Sequence, residues 1–193
     1  MAIFFTADSH FSSGDVDTIS RDYRPFNSLE EMNEKIIEIW NSQAGEDDII
    51  YHVGDFISYN LKDKNFEKNL NLVKKIKAKV VLIFGNNEDR IAEYEFNNDI
   101  DKFKEYLLNL GFYKVYEEDL LLKIGDVQLY LNHHPSKHKE DCENLFGHIH
   151  KSALVKKYGF NVGVDNHYFR LFSEDDILEL IDRRKYFDID VYE

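Results

Sequence analysis

The chain has 193 residues, is 43% hydrophobic and 15% aromatic, and carries a formal net charge of -13. That apolar content can build a core and excludes a disordered chain, while the acidic balance argues against gripping long duplex nucleic acid, which needs a basic face. One cysteine, Cys142, excludes an internal disulfide and a cysteine-based zinc site, and no apolar run approaches the ~20 residues of a membrane span.

In chain order, "AIFFTA" (2–7) reads as a buried strand, rich in β-branched and aromatic residues. It meets Asp8 too early, and lacks the basic start, for a signal peptide, so a cytoplasmic protein is expected. "NSLEEMNEKIIEIWNSQ" (27–43) repeats Leu29, Met32, Ile36 and Trp40 at helical spacing, with Ser28 and Glu31 as a capping box. "DIIYHVG" (48–54) is a second buried strand, 62–76 a second helix, and "KVVLIFG" (79–85) a third strand. Strand, helix, strand, helix, strand implies right-handed crossovers and a largely parallel opening sheet. The lysines at 74, 75, 77 and 79 read as the solvated end of a helix.

Beyond residue 85, "DIDKFKEYLLNLG" (99–111) is a helix ended by Gly111, and shorter strands follow at 112–118, 120–125 and 126–134. Gly125-Asp126 between apolar runs predicts a hairpin. "NVGVD" (161–165) reads as another strand and 173–187 as a closing helix capped by Ser173. With two prolines and nine glycines no linker stands out, so residues 1–193 are expected to form one α/β domain. Its expected architecture is a two-sheet β-sandwich flanked by helices, parallel first and antiparallel later.

The predicted strands end in residues that can bind a cation. Asp8 and His10 follow the first, Asp55 the second and Asn86 the third; His133 ends the hairpin strand. His148 and His150 in "LFGHIHKS" follow a short apolar run, and on extended backbone positions i and i+2 would face the same side. Each has a plain alternative: Asp8 and Asp55 as turn residues, Asn86 as a cap. Together they form a donor set at the strand ends, where ligands of open α/β sheets bind. Seven mixed donors suit two ions ~3.5–4 Å apart, and favour Mn, Fe, Zn, Ni or Co over Mg or Ca.

The order D-x-H, G-D, G-N-x-E, lone H, G-H-x-H resembles the calcineurin-like metallophosphoesterases, in their small single-domain bacterial and phage type. Here the blocks are Asp8/His10, Gly54-Asp55, Gly85-Asn86-Asn87-Glu88, His133 and Gly147-His148-Ile149-His150. The resemblance implies a dinuclear centre: Asp8, His10, Asp55 and His150 on one ion, Asp55, Asn86, His133 and His148 on the other, with Asp55 bridging. It implies two divalent transition-metal ions, manganese foremost, and hydrolysis of a phosphate ester, a diester more than a monoester, by a hydroxide between the ions. Two such ions, two carboxylates and a hydroxide sum to about +1, which attracts a phosphate ester. A small or nucleotide-type substrate fits the acidic chain better than a long polyanion.

The family usually places at position 87 a histidine that protonates the leaving group. Asn87 can donate a hydrogen bond but supplies no proton at neutral pH. That leaves a rival reading, a catalytically weak binding or scaffold protein on the same fold. Among the other residues, His52 is a core or near-site histidine, and His134 and His138 are loop residues, either of which can stand in for the missing acid. His167 reads as structural, Glu88 as a loop clamp or helix start, and Cys142 as a small buried residue. No phosphate-binding or dinucleotide glycine loop is present.

Overall fold

Alternation along three apolar strands assigns side chains to two layers, and the architecture follows. The computed structural model describes residues 1–13, 24–61 and 65–186. Its strands are β1 (Ile3–Thr6), β2 (Ile49–Val53), β3 (Lys79–Ile83), β4 (Lys114–Tyr116), β5 (Leu120–Ile124), β6 (Val127–Leu131), β7 (Glu143–Phe146), β8 (Val155–Lys156), β9 (Gly159–Asn161) and β10 (Phe172–Ser173). Its α-helices are α1 (Leu29–Gln43), α2 (Phe66–Leu70), α3 (Asn86–Glu95), α4 (Ile100–Leu110) and α5 (Glu174–Arg183).

One sheet has the order β10-β1-β2-β3-β4, parallel except for β10. Phe4, Ile50, Val80 and Leu82 point to one side, into a cluster with Met32, Ile36 and Trp40 of α1 and Phe103 and Leu107 of α4. Phe5, Val53 and Ile83 point to the other, against Leu129, Leu131 and Leu145 of the second sheet. That sheet has the order β5-β6-β7-β9-β8, and Ile177 of α5 closes the core between the sheets. Burying a side chain of this size stabilises by about 1.5–3 kcal/mol, so the two-sided pattern locks register as well as topology.

Local signals act largely as written. Ser28 accepts from the Glu31 N–H, but the Glu31 carboxylate turns to Asn27 instead of completing the box. Ser173 and Asp176 form a complete one. Gly111 ends α4 at φ +120°, and Gly125 sits in the β5–β6 hairpin.

Four expectations change. The second sheet is not antiparallel throughout, because β7 pairs parallel to both β6 and β9. Residues 112–118 contribute β4, which joins the first sheet beside β3. The helix expected over 62–76 is α2 followed by a 3₁₀ turn, Asn71–Lys75; residues 62–64 lie outside the described ones. The strand expected over 161–165 stops at Asn161. From there the chain crosses between sheets, the Val162 N–H donating to Phe146 and the Val164 N–H to Ala7, then turns as a 3₁₀ helix at Val164–Asn166. Among the described residues no helix is long and apolar enough to cross a membrane.

Candidate metal centre

The backbone after each strand leaves the ladder abruptly. Asp8, His10, Asp55, His148 and His150 all have positive φ, between 47° and 72°. A non-glycine residue held there costs about 1–2 kcal/mol, and such strain gathers where geometry serves a ligand. His148 and His150 therefore do not lie on extended backbone as expected; the chain turns at both, His148 before and His150 at the start of a 3₁₀ turn. Parallel pairing past the strands holds the first loops together, the Asp8 N–H donating to Gly54 and the His10 N–H to Asp55. Gly54 (φ +84°) has no room for a Cβ, which would strike the His133 ring, and one at Gly147 would lie 2.7 Å from the Asp8 Oδ2.

All seven candidate ligands converge. His10 Nε2 lies 3.5 Å from Asp55 Oδ2, and His133 Nε2 lies 3.6 Å from Asp55 Oδ1. Asn86 Oδ1 is 3.2 Å from His133 Nε2 and 2.9 Å from His148 Nδ1. The His10 and His150 rings are 5.0 Å apart. Two groups bring their donor atoms within 4.8 Å of one another: Asp8, His10 and His150, and Asp8, Asp55 and His133. Asp8 thus borders both groups, beside the bridging Asp55 that the resemblance implies.

Burial without a cation shapes the electrostatics. It raises the Asp8 carboxyl to about 6, although His150, the His148 N–H and Arg24 oppose the shift. Burial, with Glu88 and Asp8 nearby, raises Asp55 well above the carboxylate range. Burial also lowers His10 well below its usual value and His133 to about 3. For His150 burial works in the same direction, but hydrogen bonding to Asp165 and the charge of Asp8 outweigh it and raise the imidazole.

The hydrogen bonds test whether a metal ion fits. His133 Nδ1 lies 2.9 Å from the Val53 carbonyl, an acceptor only, so it carries the proton. The bare Nε2 of the neutral ring then faces Asp55 Oδ1 and Asn86 Oδ1, three lone pairs turned to one point. His10 Nε2, buried and without a hydrogen-bond partner among the described residues, also faces Asp55. Lone pairs so arranged require a proton or a cation between them, and the mixed oxygen and nitrogen donors suit a borderline divalent ion.

Several supporting residues had no clear sequence signal. Arg24 donates Nε and one terminal nitrogen to the Asp165 carboxylate, and its terminal nitrogens to the carbonyls of Asp8 and Ser9. Asp165 in turn lies 3.0 Å from His150 Nδ1. Glu88, which the sequence does mark as a loop clamp or helix start, clamps two loops by accepting from the N–H groups of Asp55, Phe56 and Gly85. Asn87 is buried, its Oδ1 accepting from the Tyr59 N–H and its own N–H donating to Asp55 Oδ1.

Of the remaining histidines, His134 stacks edge-on against His148 at 4.6 Å between ring centres. His138 is exposed and lies flat on Tyr158. His52 is a core residue, Nε2 2.8 Å from the Ser9 hydroxyl and Nδ1 without a partner among the described residues. His167 stacks on Phe172. Cys142, expected to be buried, is partly exposed beside Asp141, because it sits in the loop that leads into β7.

A family model described as calcineurin-like phosphoesterase matches residues 1–182. An uncharacterized protein of Methanocaldococcus jannaschii is 28% identical over 190 residues, covering 95% of this chain and 93% of its own. The crystal structure of a protein of unknown function from Aquifex aeolicus superposes with a TM-score of 0.66 at 21% identity, covering 93% of this chain and 98% of that one.

Proposed function

The chain belongs to the calcineurin-like phosphoesterase family, and from that premise we propose that it is a dinuclear-metal phosphodiesterase acting on a small or nucleotide-type ester. Asp8, His10, Asp55 and His150 would hold one divalent transition-metal ion and Asp55, Asn86, His133 and His148 the other, manganese being the first candidate. When bound, the ions supply Lewis acidity at the phosphoryl oxygens and an acidified water at neutral pH. The observation that carries this reading is the lone-pair arrangement at His133 Nε2, Asn86 Oδ1 and Asp55 Oδ1, which a divalent cation between them would satisfy.

The chain's own contribution is positioning. The backbone N–H of His148 holds both oxygens of Asp8 at 3.0 Å. The Arg24–Asp165 pair orients His150 and ties the Asp8–Ser9 backbone to it. Glu88 keeps the Asp55 and Gly85 turns in contact. Asn87 supplies no proton, and His134, against His148, is an imidazole outside the donor set available for that task.

The second reading, a catalytically weak binding or scaffold protein, is favoured by Asn87 and opposed by the full donor set. Hydrolysis of bis-(p-nitrophenyl) phosphate by purified protein reconstituted with Mn²⁺ tests the choice. Turnover that is lost on chelation and restored by Mn²⁺ is expected. Stoichiometric metal with no turnover of any phosphodiester would favour the scaffold.

A further inference from the structure

Among the described residues the two sheets end in four edge strands, β10 and β4 in the first and β5 and β8 in the second. β4 is three residues long and β8 and β10 are two, and a very short strand is how soluble proteins ordinarily blunt an edge. β5 is different. It spans five residues, Leu120–Ile124, and is paired on one side by β6, so every second N–H and C=O along it points away from the sheet. Its side chains are as unusual as its length. Leu120 and Leu122 pack on the core between the sheets yet are only partly buried, and Leu121, on the outer face, is 50% exposed. Three consecutive leucines left accessible on an open edge suit the addition of another strand.

We propose that the free edge of β5 pairs antiparallel with β5 of a second copy of this chain, about a two-fold axis through Leu121, joining the second sheets of two protomers into one. The inference is independent of the metal centre. Charge complementarity selects the partner. Asp119, Leu121 and Lys123 share the outer face: Asp119 accepts from the Tyr130 hydroxyl, and Tyr130 is the cross-strand neighbour of Leu121. A two-fold contact is self-complementary, so each pairing occurs twice. With the axis at Leu121, Lys123 meets the partner's Asp119, an opposite-charge pair that favours the ladder. On the core face Leu120 then meets the partner's Leu122, which closes the open ends of the two cores against each other. Other registers lose these matches. An axis between two residues sets core-facing side chains against outer ones. An axis at Leu122 brings Glu118 toward the partner's Asp126, like charges, and an axis at Leu120 sets Leu122 against the partner's Glu118.

Sedimentation equilibrium of the purified full chain across the micromolar range is expected to show a monomer–dimer equilibrium. Leu121→Lys places two ammonium groups together on the axis and should raise the dimer Kd by about tenfold or more. Because Leu121 is half exposed, circular dichroism and Tm should stay those of the wild type. Lys123→Asp sets like charges at both symmetric pairs and should weaken the dimer by a similar factor. Adding Asp119→Lys to it reverses both charges and should restore the wild-type Kd, a recovery that follows only if the two positions face each other across the axis. A chain that stays monomeric throughout the range overturns the proposal and leaves the edge to water or to a different chain. A dimer whose Kd is unchanged in Leu121→Lys overturns it too, since another surface would then hold the copies together. A folded double variant that fails to recover the dimer overturns the register and with it the two-fold pairing.

Discussion

At position 55 one carboxylate faces two imidazoles, His10 at 3.5 Å and His133 at 3.6 Å, and accepts the Asn87 N–H. Replacing it with an amide removes a charge that both proposed ions share. Asp55→Asn is therefore expected to lower turnover by more than about 10³-fold, and further than any single histidine change, while circular dichroism stays native. Elemental analysis should show loss of both ions; near-normal turnover would mean that Asp55 does not bridge. Asn87 makes a second prediction. With no proton donor at that position, rate should depend steeply on leaving-group acidity, since general acid help is typically worth ~10²–10⁴-fold. Across a series of aryl and alkyl diesters, Asn87→His should accelerate the alkyl members more than the aryl ones. A shallow dependence that steepens in His134→Ala would instead identify His134 as the acid. The seven donors were legible because each follows an apolar run. Arg24 and Asp165 were not, since a buried ion pair spanning 141 residues of sequence has no local signature.

Between residue and sheet, the connections carry most of the strain and most of the support. From the sequence, Glu88 reads as either a clamp or a helix start, and it is both: it lies in the first turn of α3, and its carboxylate satisfies three buried N–H groups from two turns. Stranding a buried donor costs about 1–3 kcal/mol, so Glu88→Ala is expected to destabilise by roughly 3 kcal/mol or more. Chemical denaturation would measure it; a change under 1 kcal/mol would mean that water replaces the carboxylate. Gly147→Ala should act differently. Its Cβ would lie 2.7 Å from both the Ala7 Cβ and the Asp8 Oδ2, so metal affinity should fall before stability does. Strands with long alternating runs were legible, whereas the turn at 148–150 and the crossing at 162–164 were not. Both depend on hydrogen bonds to distant segments, such as Val162 to Phe146 and Val164 to Ala7, which override local β propensity.

Over the whole molecule, three parallel strands and their helices could be read from periodicity, but the mixed pairing of the second sheet could not. β7 joins β6 and β9 in parallel through contacts that no hairpin announces. The outcome is a protein whose core between sheets ends at a cluster of buried ionisable groups, and pH should expose that design. Asp8 titrates near 6 when folded, above its ordinary 3.8, so its contribution to stability is full below pH 3.8 and is lost as pH rises through 6. His133 and His52 titrate near 3 when folded, below 6.5, so their contribution is full above pH 6.5 and is lost as pH falls toward 3. Asp55 and Glu88, also raised by burial, add to the slope of Asp8, and His10, lowered by burial, adds to that of the two histidines. Between about pH 4.5 and 6 these buried groups oppose each other three against three, and the metal-free protein should change Tm only slightly. Metal binding breaks the balance, because a bound cation needs every donor deprotonated. Added Mn²⁺ should therefore raise Tm strongly at pH 7.5, and the increment should shrink as acid competes for Asp8, Asp55 and His150, whose proton affinities the fold raises, vanishing near pH 5. Differential scanning calorimetry with and without metal across this range measures it directly. An increment still undiminished at pH 4 would exclude Asp8, Asp55 and His150 as ligands, and with them the dinuclear site proposed above.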